Sequence, residues 1–538
     1  MNYLAIVIGL IYKTILQARS TRELWSSSYF FSLLMREMLA EAEKQNIGTL
    51  LSPVPADPML HIHGVGIYPD RAFWKTNGEQ TVQMNLVFDN ACKNVATITG
   101  ISNEKIKKYA SFSAVSLIVK GDEANAILEL NKLLDTAELY EKVSSNNVSF
   151  VPELDDNIQA LYEDGHKNLQ LGNNDIFIHY DCAVKKYKRL PSIIELCTRD
   201  LKYRTGSLNY LNLVTEPISQ KVCSYIQSKK PRFERIKEEQ ELETQLMETI
   251  RENYSDFRLR HKYIAFVYAD GDNVGKCLRA IGNDEGKIKD FSTFMARFFG
   301  DAVELIVAYG GIPVFIGGDD LLFALPLTNG NNDTINKTGK NLFGLLDALD
   351  TIFPDKALNK LSGLKQDLTS LSYGIGISYY KYPMAEALNT AHDALEKIKN
   401  SGFKNRLAFQ VQKHSGQLFG SVLPKGACMK YFIQNMLDKG DNFRDTNFLA
   451  STIHKFRMVQ VLYKDAIVNG CLDNFFENHL NEKIHKEINK RTENDNYLRT
   501  VRELTLLLHQ ETGNADETFE SLFACLRMFQ FLNQPANE

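Results

Sequence analysis

The chain has 538 residues, more than one compact domain needs, so three or four domains are expected. A hydrophobic fraction of 44% and a charged fraction of 24% are ordinary for a globular protein and exclude a disordered or fibrous one. A net charge of −4 excludes a globally basic nucleic-acid binder; any RNA contact must come from local basic patches or partner chains.

Met1–Leu16 is apolar, but it has no basic residue before Lys13, no small-residue cleavage site and too little length to span a bilayer. The spacing predicts a buried strand over Tyr3–Ile8, turning at Gly9 into a helix that carries Arg19, Arg22, Trp25 and Tyr29. Trp25 and Tyr29, four apart, share one helical face. No other stretch reaches transmembrane length, so a soluble protein with no membrane partner is expected. His61 and His63 flank Ile62 on one side of a strand-like segment; without a third ligand, a structural or pocket-lining role is preferred to a metal pair. The eight cysteines are scattered with no Cys-x-x-Cys pair, so neither a disulfide framework nor structural zinc is expected, and a reducing cytoplasm fits best. In Ser228–Glu241 the basic residues Lys230, Arg232, Arg235 and Lys237 alternate with Glu234, Glu238 and Glu239, which predicts a solvated helix face in preference to an RNA contact.

Tyr263–Tyr268 is an apolar, aromatic-rich strand running into Asp270-Gly271-Asp272-Asn273-Val274-Gly275-Lys276. Asp270 falls at its carboxyl end, and the next helix presents amino-terminal N–H groups that can cradle phosphates, with Asp272, Asn273, Gly275 and Lys276 around it. In Ile312–Pro326, two apolar strands flank Gly317-Gly318-Asp319-Asp320, a hairpin turn bearing adjacent carboxylates. Adjacent carboxylates repel, and a divalent cation removes the repulsion. If the two strands pair, Asp270, Asp319 and Asp320 converge as catalytic carboxylates and, with Gly271, as the metal-binding set. Oxygen ligands of this kind suit Mg²⁺ (or Mn²⁺) shared with nucleotide phosphates. One ion would lower the pKa of an attacking hydroxyl, and a second would hold the triphosphate and stabilise leaving pyrophosphate. Gly317 and Gly318 join the nucleotide-binding set. The polar run Asn329–Asn336 predicts an exposed loop. Leu371–Tyr380 alternates as a strand, and Met384–Lys399 has helical period. This order of elements resembles the ferredoxin-like palm of polymerases and nucleotidyl cyclases.

The N-terminal Arg19-Ser20-Thr21-Arg22-Glu23-Leu24-Trp25 helix, Gly66–Trp74, Arg189–Leu196 and His414-Ser415-Gly416-Gln417 occur in order around that palm. With it they resemble the large polymerase–cyclase subunit of type III-B CRISPR (Cmr) effector complexes, over nearly the whole chain. The resemblance implies an α+β protein: a first ferredoxin-like palm (1–143), a mostly helical middle domain (144–256), a catalytic palm (257–412) and a helical C-terminal domain (413–538). It implies that Lys399, on the late helix, contacts the triphosphate of ATP. It also implies a cytoplasmic complex with other Cmr subunits, guide RNA and target RNA, releasing an adenylate second messenger. The His-Asp nuclease signature of many relatives is missing; His392-Asp393 lies on the late palm helix and is expected to be structural, and no DNase activity is expected. Asp70 stands where relatives more often have asparagine. With Arg71 it would line the acceptor pocket, where a carboxylate disfavours a second polyphosphate and favours a cation such as S-adenosylmethionine. An ATP–S-adenosylmethionine conjugate is therefore slightly favoured over cyclic oligoadenylate; a pairing of Asp70 with Arg71 is the bland alternative. A stand-alone diguanylate-type cyclase would not need the Arg19–Trp25 helix, and a non-catalytic scaffold would not need the carboxylates.

Overall fold

The structure is a computed structural model describing residues 1–54, 64–119, 125–139, 149–167, 176–182, 185–204, 207–228, 230–366, 368–439, 446–479 and 488–536. His61 and His63 lie outside the described residues.

The first sheet grows from β1 (Asn2–Gly9), whose run Tyr3–Ile8 is buried on both faces. Leu10, at φ 77°, turns the chain into the short α1 (Ile11–Ile15). The Ser20 side chain accepts from Glu23 N–H to start α2 (Thr21–Lys44). The strands β2 (Thr49–Ser52) and β3 (Arg71–Thr76), helices α3 (Thr81–Thr99) and α4 (Asn103–Tyr109), strand β4 (Ser111–Ile118) and α5 (Ala126–Leu139) complete it. The strand order is β2-β3-β1-β4, with β1 antiparallel to both neighbours. Trp25 is wholly buried, stacked on Tyr29 at 4.6 Å and donating from Nε1 to the Gly64 carbonyl at 2.8 Å.

A middle region follows: α6 (Val151–Asp156), α7 (Ile158–Lys167), the hairpin β5 (Ile178–Cys182) and β6 (Lys185–Arg189), then α8 (Ile193–Cys197), α9 (Arg199–Arg204), α10 (Ser207–Tyr210), α11 (Glu216–Ser228) and α12 (Arg232–Asn253). Cys182 of β5 is bonded to Cys223 of α11, which corrects the expectation of unpaired cysteines. The partners are 41 residues apart and meet only because α11 packs on the hairpin, so their spacing carried no signal. The basic run is corrected too. Arg232 reaches Glu23 at 2.6 Å, Arg235 reaches Asp155 at 2.6 Å, and Asp155 also binds Arg22 at 2.6 Å. These arginines tie α12 to α2 and α6 and do not form a solvated face.

The second sheet is built on β7 (Tyr263–Asp272), followed by α13 (Val274–Ile281) and α14 (Glu285–Tyr309), which ends at Gly310 with φ 107°. The hairpin β8 (Ile312–Gly317) and β9 (Asp320–Leu325) comes next. Three short helices, α15 (Asn332–Thr338), α16 (Leu342–Ile352) and α17 (Asp355–Ser362), precede β10 (Ser370–Tyr379), α18 (Met384–Ser401), β11 (Arg406–Gln412) and β12 (Leu418–Pro424). The order is β12-β11-β10-β7-β9-β8, so β10-β7-β9-β8 repeats the antiparallel arrangement β4-β1-β3-β2 of the first sheet. β12 lies past residue 412, where the sequence reading ended the palm. The expected loop at Asn329–Asn336 is instead a buried Asn329 and the helix α15, started by the Asn331 side chain accepting from Asp333 N–H.

Glycines set how closely α18 lies on β10. A Cβ on Gly374 would sit 2.3 Å from the Ala391 carbonyl oxygen and 2.4 Å from Leu395 N. Gly374→Ala should therefore destabilise the protein by about 1–3 kcal/mol, read as a lower midpoint in thermal or urea unfolding. An unchanged midpoint would mean that α18 floats free of the strand.

The helices α19 (Ala427–Tyr431), α20 (Thr446–Met458), α21 (Gln460–Val468), α22 (Leu472–His479), α23 (Ile488–Thr512) and α24 (Ala515–Asn533) follow, with α19, α23 and α24 packed against β12 and α20 and α21 against α24. Phe531 of α24 packs edge-on against Tyr263 at 4.8 Å, and Arg260 donates to the Leu532 carbonyl at 2.8 Å. Among the described residues no helix is long and apolar enough to cross a membrane.

Candidate active site

Pairing of β7 with β9 sets Asp270 directly opposite Asp320, and Gly271 N–H donates to the Asp319 carbonyl at 3.1 Å. The hairpin closes through Gly318 and Asp319, with Gly318 at φ 71°, the conformation that a two-residue loop demands of its first member. Gly317 is needed for another reason: a Cβ there would lie 3.1 Å from Pro69 Cα of the first sheet's loop. The two sheets thus face each other across a cleft of about 970 Å³. Asp70, Tyr68 and Tyr12 come from the first wall; Gly317, Gly318, Asp319, Asp320, Gly275, His392 and Lys399 come from the second. The flanks are pinned by Asn125 Nδ2 donating to the Leu278 carbonyl at 2.8 Å and by Val54 N–H donating to Ser292 Oγ at 2.8 Å.

The electrostatics of the second wall are those of crowded carboxylates. Burial in the cleft and then the Asp270 charge push the Asp319 carboxyl up to about 6, against the pull of Lys399. Asp320 is pushed well above the ordinary carboxylate range, first by loss of water and then by Asp319 and Asp270. The Lys399 ammonium lies 3.0 Å from Asp270 Oδ1. Burial works against that ammonium, but the Asp270 carboxylate outweighs it and holds the pKa above the usual value.

Asp272 does not join the cluster. It is buried, accepting at Oδ2 from Ser370 at 2.7 Å, Ser372 at 2.8 Å and the Asn405 backbone N–H at 2.8 Å. It ties β7 to β10 and to the turn after α18, rather than touching a ligand. Asn273 turns away to the Leu368 carbonyl at 3.0 Å, and neither it nor Lys276 lines the cleft. Gly275 does.

On the first wall, Arg71 lines the cleft but its guanidinium is held by α5, at 3.0 Å from Asn131, 2.7 Å from Asp135 and 3.0 Å from Glu138. Asp70 lines the cleft beside it, and the Arg71 guanidinium still acts on the Asp70 carboxyl through its charge. Burial pushes the Asp70 carboxyl up to about 6; Arg71 opposes this, and Glu138 and Asp135 reinforce it. Asp70 in turn raises Asp319, so the two walls feel each other's charge.

An all-oxygen donor set of three carboxylates that repel one another fits a hard divalent cation. Among the described residues, as they are placed, no three His, Cys, Asp or Glu side chains surround one point, and the cation beside Asp270 is the Lys399 ammonium. Asp270, Asp319 and Asp320 are the residues that could hold an ion, in place of the Lys399 ammonium. His392, expected to be structural, and Tyr12, which the sequence reading passed over, both line the cleft. The usable signal for His392 was its place seven residues, two helical turns, before Lys399.

The family description "Cas10/Cmr2, second palm domain" matches residues 263–408, and "CRISPR-associated protein Cmr2, N-terminal" matches residues 3–137. The chain belongs to the Cas10/Cmr2 family. The CRISPR system Cmr subunit Cmr2 of Pyrococcus furiosus is 29% identical over 187 residues, which is 30% of this chain and 20% of that relative. A type III-B Cmr-beta cryo-EM structure in the apo state shares the fold at TM-score 0.52 and 11% identity, covering 91% of this chain and 78% of that one. An apo Csm1–Csm4 cassette matches at TM-score 0.52 and 12% identity, over 99% and 70%. In this Cas10/Cmr2-family chain the strands β7, β8, β9 and β10 lie within the matched palm segment, and the first sheet, which falls in the matched N-terminal segment apart from Asn2, repeats their strand order.

Proposed function

We propose that the chain is the signal-producing nucleotidyltransferase of an RNA-guided type III-B effector, joining the adenylyl group of ATP to an acceptor held on the first palm. The observation that carries this reading is the meeting of Asp270, Asp319 and Asp320 at one edge of the second palm, beside Lys399 and opposite Asp70. Two Mg²⁺ or Mn²⁺ ions at these carboxylates would supply neutralisation of the triphosphate and activation of the attacking group. The protein's own residues do the rest. Lys399 holds phosphate charge, Gly317 lets the first palm's Pro69 close on the hairpin, Gly318 leaves open space for the nucleotide beside the hairpin backbone, and the first wall orients the acceptor. Relatives in the Cmr-beta state bound to cognate target RNA support Cmr-type subunits and RNA as partners.

Asp70 supports a cationic acceptor, S-adenosylmethionine, over a second ATP. Its carboxylate faces the cleft while Arg71 is occupied by α5. Mass analysis of products from the assembled complex with target RNA, ATP and S-adenosylmethionine tests the assignment. Product formed equally well without S-adenosylmethionine would overturn the conjugate and leave oligoadenylate synthesis.

The same carboxyl predicts a pH dependence. With a pKa of about 6, Asp70 is largely neutral near pH 5 and charged above pH 7, so use of the cationic acceptor should rise across that interval. Asp70→Asn should flatten the rise and lower conjugate yield about ten-fold at pH 7.5, a Coulomb contribution of about 1.4 kcal/mol. A parallel loss of all products would instead assign Asp70 to the stability of the cleft.

A further inference from the structure

Besides the carboxylates and Lys399, the cleft is lined by aromatic rings. His392 and Lys399 both line the cleft from α18. Seven helical residues separate them by about 10 Å along the axis, comparable to the reach from the phosphates to the base of a nucleotide. Tyr268 stands two residues before Asp270 on β7, on the same strand face. Its ring meets His392 edge-on at 5.7 Å. From the opposite wall, Tyr12 brings its ring to 5.4 Å from His392 and 6.4 Å from Tyr268, and its hydroxyl donates to Asn389 Oδ1 at 3.1 Å. Three rings from two palms therefore gather in the cleft beside the carboxylates, Tyr268 close enough to Asp320 to feel its charge.

Two further observations set this cluster apart from ordinary core. Tyr12 is 39% exposed and the His392 side chain 41% exposed, so both residues line the cleft while keeping surface that a ligand can cover. The turn that delivers Tyr12 is also strained, since Leu10 carries a side chain at φ 77°. A non-glycine residue is seldom held there unless its surroundings require it. Here the requirement is met by α1, whose Thr14 hydroxyl donates to the Leu10 carbonyl at 2.6 Å.

We propose that Tyr12 and His392 are the base-holding residues of this cleft, stacking the base of the nucleoside triphosphate whose phosphates lie at Lys399, with Tyr268 backing the pair. The assignment rests on the nucleotidyltransferase reading and names residues that reading left out. Because Tyr12 belongs to the first palm and His392 to the second, a stacked base bridges the two walls. Binding the donor nucleotide would thereby draw the acceptor side into register with it.

Calorimetric titration of the full-length protein with ATP, and separately with tripolyphosphate, in Mg²⁺ buffer tests this. Wild type is compared with Tyr12→Ala, Tyr12→Phe, His392→Ala and His392→Phe. Loss of a stacking ring should weaken ATP roughly five- to hundred-fold in the alanine variants. Phenylalanine should restore it, and tripolyphosphate, which has no base, should bind all five proteins alike. Alanine variants that bind ATP as tightly as wild type overturn the base-holding role alone. Equal loss of ATP and tripolyphosphate also overturns it, since the substitutions would then have disturbed the cleft as a whole. A wild-type protein that binds neither ligand overturns this inference and the nucleotidyltransferase reading together.

Discussion

Asp319→Asn should reduce pyrophosphate release by about 10³-fold or more, while leaving the protein at least as stable as wild type at pH 7.5. The loss follows from position. Asp319 sits at the tip of the β8–β9 hairpin, between Asp270 on its own palm and Asp70 across the cleft. Removing its charge takes away a third of the anionic set that would neutralise triphosphate through bound cations, worth several kcal/mol of barrier. The stability half follows from the raised pKa. Between about pH 4 and 6 the folded protein binds more protons at Asp319 than the unfolded chain, so stability falls as pH rises through that window. Above it the full repulsion is present. Asparagine removes the repulsion, so the variant's midpoint should rise relative to wild type at pH 7.5 and converge with it near pH 4, on the order of 1 kcal/mol at most in a partly solvated cleft. Activity retained within ten-fold, in the assembled complex with target RNA, would sink the assignment of this turn. A midpoint lowered equally at both pH values would show that the carboxylate is a structural hydrogen-bonder.

Lys399→Met should move two ligands in opposite directions. Without nucleotide, the ammonium 3.0 Å from Asp270 competes with any divalent cation for that carboxylate. Its removal should tighten Mn²⁺ binding about ten-fold, corresponding to roughly 1–2 kcal/mol for a pair that is partly screened by solvent. With nucleotide present, the same ammonium is the positive charge available to the phosphates, so ATP affinity should fall about ten- to hundred-fold. Electron paramagnetic resonance of free Mn²⁺ reads the first effect without any turnover, and calorimetry reads the second. Mn²⁺ affinity unchanged by the substitution would mean that the ion pair does not guard the site.

The parts of this site that could be read from sequence are local ones. Asp270, Asp319 and Asp320 declare themselves because each sits where an apolar run stops, and a two-residue turn can be recognised over a few positions. Asp272 shows the limit. It lies in the same Asp-Gly-Asp run as Asp270, and strand alternation alone would put both on one face, but the return of β10 and the turn after α18 bury it under Ser370, Ser372 and Asn405, all distant in sequence. Arg235 reads as part of a solvated face for the same reason, since its partner Asp155 is 80 residues away. The bond between Cys182 and Cys223 and the meeting of Tyr12 with His392 likewise depend on packing between elements, which no periodicity encodes. The topology was legible to the extent that strands and helices alternate. The extension by β12 was not, because a seven-residue strand containing Gly420 resembles a turn.

The two palms share a strand order, and Asp70 immediately precedes β3 as Asp319 immediately precedes β9. The cleft is therefore bounded by two walls of like backbone and unlike charge: Asp270, Asp319 and Asp320 with Lys399 on one, and on the other Asp70 beside an Arg71 held by Asp135 and Glu138. Near-mirror walls would let a bound pair of molecules exchange places at no energetic cost. These walls do not, and the chamber has a heads and a tails. On the nucleotidyltransferase reading proposed above, the two molecules to be joined would have only one way round to lie, and the direction of the bond would follow from the asymmetry between two copies of one fold.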